Sequence, residues 1–202
     1  KLKLQAELGL PQDKNKFMIG LISRLTDQKG LDLVNHVIEN IADDFTQFVI
    51  IGTGEERYEN TFKHFQWKYP DKVSANIFFS EQRAHRLYAA ADTMLVPSRF
   101  EPCGLTQLIS LRYGTVPIVR ETGGLKDTVI PYNEFENYGT GFSFTNYNAN
   151  DMLNVINYAK SVYFNNRDNW NQIIKRGMTT DFSWGSSALQ YAGMYKWLSP
   201  GL

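Results

Sequence analysis

The 202 residues carry 21 Lys and Arg against 21 Asp and Glu, a balance that excludes nucleic acid as a diffuse electrostatic partner. The single cysteine excludes a disulfide framework, and no run is long and apolar enough to cross a bilayer. With no signal-peptide pattern, a cytoplasmic setting is expected, and a start on Lys-Leu-Lys-Leu without Met points to a piece of a longer protein.

Lys1 to Lys16 reads as a short helix and a turn, with Leu2, Leu4 and Leu8 on its apolar side and Pro11 as its stop. Phe17–Ile22 is the first buried strand, and Ser23–Gly30 is the loop after it. Leu31, Val34, Val37, Ile38 and Ile41 then recur at helical spacing. Phe48–Ile51 is a second strand, ending in Gly52-Thr53-Gly54. That turn lacks the third glycine of a dinucleotide fingerprint and follows the second strand, so NAD is not expected. An aromatic-rich helix covers Glu55 to Tyr69, a third strand Val73 to Phe79, and a short helix Arg83 to Ala91.

Thr93–Pro97 is a fourth, fully apolar strand. It feeds the loop Ser-Arg-Phe-Glu-Pro-Cys-Gly-Leu-Thr-Gln-Leu, Ser98 to Leu108, with a helix from about Gly104 to Tyr113. Val116–Val119 is a fifth strand, followed by Thr122-Gly123-Gly124 and a helix starting near Leu125. Tyr132 to Gly139 reads as a surface loop and Gly141 to Phe144 as a sixth strand. Helices follow over about Ala149–Phe164, Arg167–Arg176 and Trp184–Leu198, the last capped by Ser183. Strand and helix alternate through short loops, which predicts an α/β class: a Rossmann-like parallel sheet flanked by helices, in one domain over 1–202.

Three loops follow strands of this sheet and so leave it at one edge, where α/β folds bind ligands. The first offers Arg24, a fork for two phosphate oxygens, and Lys29, a mobile point charge. Alone, these are equally two solvated cations. Yet cations at a helix start oppose its dipole by roughly 0.3–1 kcal/mol each, and a bound anion explains why that is tolerated. The second loop sets Glu101 before the amides of Gly104, Leu105 and Thr106. The amides can hold a phosphate while the carboxylate accepts hydrogen bonds from sugar hydroxyls. The alternative is a turn whose Glu stabilises the first helical turn. Cys103 has no base placed near it and reads as a small helix-start residue rather than a nucleophile. The third loop, Gly123 and Gly124, is either a simple turn or an amide nest for oxygens. Phe79 reads as core packing or as a stacking surface for a base. His85, beside Arg86, is expected at the site edge. His36 and His64 fall within helices, and no metal-ligand spacing exists among the three histidines.

Ser-Arg-Leu-Thr-Asp-Gln-Lys-Gly at 23–30, the Ser98–Leu108 motif, Thr-Gly-Gly-Leu-Lys-Asp-Thr-Val at 122–129 and Asp-Phe-Ser-Trp at 181–184 together resemble the C-terminal domain of bacterial glycogen synthases and plant starch synthases. The resemblance spans nearly the whole chain. It implies the C-terminal, donor-nucleotide half of a GT-B glycosyltransferase, without the N-terminal domain that carries a Lys-x-Gly-Gly loop and most of the acceptor site. It implies glucose transfer from ADP-glucose to the non-reducing end of an α-1,4-glucan, with retention and no further cofactor. Arg24 and Lys29 would then hold the diphosphate with the amides of Gly104, Leu105 and Thr106. Glu101 would fix the glucose, Phe79 would pack on adenine, and Gly123 and Gly124 would pass close to the sugar or phosphates. Cys103 and His85 count among the donor-side residues. Related transferases often carry a second Glu eight positions after the first; here that position is Ile109, in keeping with the synthase branch. A nucleotide- or glucan-binding module without chemistry, and another GT-B enzyme such as a sucrose synthase, are the rival expectations.

Overall fold

The strands form one six-stranded, wholly parallel sheet in the order β3-β2-β1-β4-β5-β6. They are β1 (Phe17–Ile22), β2 (Thr46–Ile51), β3 (Val73–Asn76), β4 (Thr93–Val96), β5 (Val116–Arg120) and β6 (Phe142–Phe144). The computed structural model describes residues 1–199. β1 pairs with β2 from Phe17↔Thr46 to Ile22↔Ile51, and with β4 through Ile19↔Thr93 and Gly20↔Met94. Strand order therefore reverses between β1 and β4, and the crevice of such a sheet opens there, at the carboxyl ends.

Near-continuous apolar strands are what a sheet covered on both faces requires. Side chains alternate across it: Phe17, Ile19 and Leu21 enter one core, while Met18, Val49 and Met94 enter the other. The helices are α1 (Leu2–Leu8), α2 (Leu31–Ile41), α3 (Glu56–Lys68), α4 (Glu81–Ala90), α5 (Thr106–Tyr113), α6 (Gly123–Thr128), α7 (Ala149–Asn165), α8 (Arg167–Thr179) and α9 (Trp184–Leu198). In α2 the five apolar residues expected to face inward are buried, together with Leu33. Burying each such Val, Leu or Ile contributes about 1.5–3 kcal/mol. α8 closes the first core by setting Trp170 edge-on to Phe17, ring centroids 5.8 Å apart.

Several boundaries differ from expectation. α1 ends at Gly9, in the left-handed region at φ 70°, before Pro11 is reached. Leu2 lies exposed while Gln5 is buried, donating to Gln47 at 2.6 Å. β3 stops at Asn76, short of Phe79, because its neighbour β2 ends at Ile51; Gly52 N–H donating to Asn76 O is the last rung. α5 begins at Thr106 and α6 at Gly123. Tyr132 is a core residue, not part of a surface loop.

α9 starts as expected, with Ser183 Oγ accepting from Ser186 N–H at 3.3 Å. It buries none of its residues, and Trp184 is 90% and Trp197 79% exposed. Helix stability in proteins comes mainly from packing a face, which α9 does not do here. A chain truncated after Ser183 is accordingly expected to melt within about 2 °C of the full chain and to self-associate less. Differential scanning calorimetry and light scattering check this; a drop of several degrees would show that α9 packs on the sheet. Among the described residues no helix is long and apolar enough to cross a membrane.

Candidate active site

A pocket of about 200 Å³ opens at the carboxyl ends of β1 and β4, where strand order reverses. Its lining includes Ser23, Arg24 and Lys29 from the first loop and Ser98, Glu101, Gly104, Leu105 and Thr106 from the second. The two loops are joined by one backbone bond and one side-chain bond. Arg99 N–H donates to Gln28 O at 2.8 Å, and Gln28 Nε2 donates to Phe100 O at 3.3 Å. Gly30 holds φ 71°, and a Cβ built there lies 2.0 Å from Pro97 O. Only glycine permits that approach with that dihedral.

The result is a direct ion pair. Lys29 Nζ lies 2.5 Å from Glu101 Oε2, with both side chains largely shielded from solvent. Ser98 Oγ donates to the same carboxylate oxygen at 3.2 Å. The pair also answers the charge problem at this helix start: Glu101 offsets the ammonium that would otherwise oppose the α2 dipole. Arg24 is exposed on the rim and enters no ion pair among the described residues. The first N–H groups of α5, beginning at Thr106, have no intrahelical carbonyl to bond, and Thr106 and Gln107 line the pocket's second side. The pocket thus presents two cations, one carboxylate and a helix start.

The first loop is braced from outside. Tyr58 Oη donates to Asp27, Arg57 pairs with the same carboxylate at 2.5 Å, and these bonds hold the Asp27 carboxyl below the usual range. Leu25 bridges to Gly54, so the Gly52-Thr53-Gly54 turn serves as an abutment for this loop.

Not every predicted site residue comes to the pocket. Gly123 and Gly124 lie behind the second loop: Gly124 N–H donates to Glu101 O at 3.1 Å, and a Cβ on Gly124 would meet Cys103 O at 2.4 Å. They set the loop's position rather than line the cavity. Cys103 is exposed outside the lining. His85 lies on α4, exposed, with Nδ1 2.8 Å from Tyr113 Oη, and does not reach the pocket. Phe79 lies beyond β3 with 70% of its surface exposed, so the core-packing alternative is overturned. Among the described residues no cluster of three or more His, Cys, Asp or Glu is gathered to hold a metal ion.

Gln107 was not singled out by the sequence. It lines the pocket, and its Nε2 donates to Cys103 O at 3.0 Å and Gly104 O at 2.9 Å, while its buried Oε1 has no protein partner. Its position at the start of the helix, four residues after Cys103, was the available signal.

The profile of glycosyl transferases group 1 matches residues 5–176. A glycogen synthase from Lachnospira eligens is 66% identical over 96% of this chain, and one from Thermotoga maritima is 50% identical over 97%. The catalytic domain of starch synthase IV from Arabidopsis thaliana, bound to ADP and acarbose, superposes with a TM-score of 0.87 at 34% identity over 96% of the chain. The chain spans 41%, 40% and 41% of these three, about two-fifths of each. The sheet and its helices are accordingly the fold of one half of a GT-B glycosyltransferase. With the match covering most of its length and all three loops, the chain belongs to the glycosyl transferases group 1 family.

Proposed function

We propose that the protein to which this chain belongs transfers glucose from ADP-glucose to the non-reducing end of an α-1,4-glucan with retention, and that residues 1–202 form its donor-binding domain. The observation that carries this is the Lys29–Glu101 pair set between two loops at the point of strand reversal. The glycogen synthases and the ADP-bound starch synthase domain support the choice of nucleotide and sugar.

Cleaving a glycosyl–phosphate bond places positive charge on the sugar ring and extra negative charge on the departing phosphate. Lys29 and Arg24 meet that phosphate charge, aided by the amides of Gly104, Leu105 and Thr106. An incoming diphosphate competes with Glu101 for Lys29, and the carboxylate so released accepts hydrogen bonds from glucose hydroxyls. The acceptor hydroxyl attacks on the face that ADP leaves: the new glycosidic bond forms as the glycosyl–phosphate bond breaks, and the hydroxyl proton passes to the departing phosphate oxygen. Phe79, exposed past β3, is the proposed platform for adenine. The acceptor side belongs to the part of the relatives that this chain does not span. Relatives that are bacterial glycogen synthases support a cytoplasmic setting.

Calorimetry on this chain with ADP, ADP-glucose and UDP-glucose tests the donor side, and labelled transfer to glycogen by the protein at its relatives' full length tests the reaction. ADP and ADP-glucose are expected to bind, and ADP-glucose to be the preferred donor. Glucan binding without nucleotide binding overturns the proposal in favour of a binding module; preference for UDP-glucose moves it to another sugar-nucleotide enzyme.

A further inference from the structure

We infer that Arg120, acting with Tyr147 and Arg99, is a positioning residue that holds the loop carrying Glu101 against the loop carrying Lys29; this rests on the transfer reading above. None of the three side chains lines the pocket. Arg120 ends β5, and its Nη1 donates to Arg99 O at 2.6 Å, with Ser98 O at 3.5 Å. Those carbonyls stand two and three residues before Glu101. The N–H of the same Arg99 donates to Gln28 O, one residue before Lys29. Arg120 therefore grips the strand of loop that carries the carboxylate, at the place where that loop is tied to the one carrying the ammonium.

Tyr147, in the segment after β6, completes a ring of contacts. The Arg99 and Arg120 guanidinium carbons lie 4.8 Å and 5.5 Å from its ring centroid. Two cations at one ring repel each other, and the negative π-face lessens that cost. The Tyr147 hydroxyl donates to Asp32 Oδ1 at 2.5 Å, in the first turn of α2. Burial, together with Asp32, pushes that hydroxyl up to about 12, so it stays a donor at any ordinary pH. The path runs from β5 through the second loop, the first loop and α2 to Tyr147, and back to Arg120. Arg120 Nε is buried without a partner, so the fork is oriented by the loop carbonyls and the ring rather than by full satisfaction of its own donors. Lysine cannot replace it, since one ammonium lacks the planar fork that both stacks and donates.

The test uses the protein at the full length of its relatives, as wild type, Arg120→Lys, Tyr147→Phe and Tyr147→Leu. Melting temperature, ADP affinity by calorimetry, and kcat and KM for ADP-glucose are measured for each. Arg120→Lys and Tyr147→Leu are expected to lower kcat by about 10- to 100-fold, the scale of a misplacement near 1 Å. ADP affinity should stay within about threefold, since no phosphate-holding group is substituted, while KM for ADP-glucose rises with displacement of the carboxylate that holds its glucose. Tyr147→Phe, which keeps the ring but loses the bond to Asp32, should fall between wild type and Tyr147→Leu in kcat. Unchanged kcat in Arg120→Lys overturns the inference, and a parallel fall in ADP affinity makes Arg120 a ligand contact instead. A crystal structure of Arg120→Lys gives a readout free of activity: the Lys29–Glu101 separation should open beyond hydrogen-bond reach, and an unchanged separation overturns the inference. Wild-type protein that transfers no glucose defeats the transfer reading, while the crystal still decides the latch.

Discussion

Replacing Lys29 by Ala is expected to lower kcat/KM for glucose transfer by about 10²–10³, the usual loss when one donor aimed at developing charge is removed. Arg24→Ala should fall by a similar factor. The two differ in what they do to the fold. Arg24 is exposed, so its loss should leave the melting temperature unchanged. Lys29 sits against Glu101 with only 18% and 13% of their side chains exposed, so Lys29→Ala strands a shielded carboxylate. Removing one partner of a buried pair costs more than removing both. The double variant Lys29→Ala with Glu101→Gln should therefore recover stability relative to Lys29→Ala alone without recovering transfer. Thermal melts and steady-state kinetics on the four proteins check this. Near-normal turnover in both single variants would reject the assignment, and recovery of transfer in the double variant would make the pair structural.

The layout of this site was legible because its determinants are local. Apolar strands followed by Arg24–Gly30 and Ser98–Thr106 place both loops at one edge whatever the helices do, and the sheet puts them on adjacent strands. What escaped reading depends on partners distant in sequence. Ile77, Phe78 and Phe79 continue the apolar pattern of β3, but a strand persists only while its neighbour supplies rungs, and β2 runs out at Ile51. Gln5 breaks the apolar stripe of α1 yet is buried, because Gln47 waits 42 residues away. Gly123 and Gly124 were expected to face a ligand. Their smallness instead serves contact with the Glu101–Cys103 backbone, and a glycine pair does not say which neighbour comes close. The meeting of Arg99, Arg120 and Tyr147 joins three segments and has no signature within any one of them. α9 was legible as a helix from Ser183, but its aromatic residues do not reveal that it packs on none of this sheet.

The close approach that makes the site can be weighed against a matched control. Gly9 and Gly30 hold almost the same dihedral, φ 70° and 71°. Placing an L side chain there costs roughly 1–2 kcal/mol at either position. A Cβ on Gly9 meets nothing within 4 Å, whereas one on Gly30 lies 2.0 Å from Pro97 O, 2.8 Å from Pro97 C and 3.3 Å from Pro97 Cβ. Pro97 cannot yield easily: it is buried, follows β4 directly, and its ring fixes φ. Gly9→Ala should therefore cost only the dihedral strain. Gly30→Ala adds an overpacking cost of about 1–3 kcal/mol, for a total near 2–5 kcal/mol. That is a large share of a typical domain stability of about 5–15 kcal/mol. The clash also has a direction. It drives the first loop away from Pro97, and so moves Lys29 away from Glu101. Urea unfolding midpoints of both variants measure the stability difference, and ADP affinity reads the loop displacement at temperatures where Gly30→Ala remains folded. Gly30→Ala should lose both stability and affinity, and Gly9→Ala stability alone. Equal stability costs at the two positions would mean that the loops separate freely and that Pro97 does not hold the first loop in place.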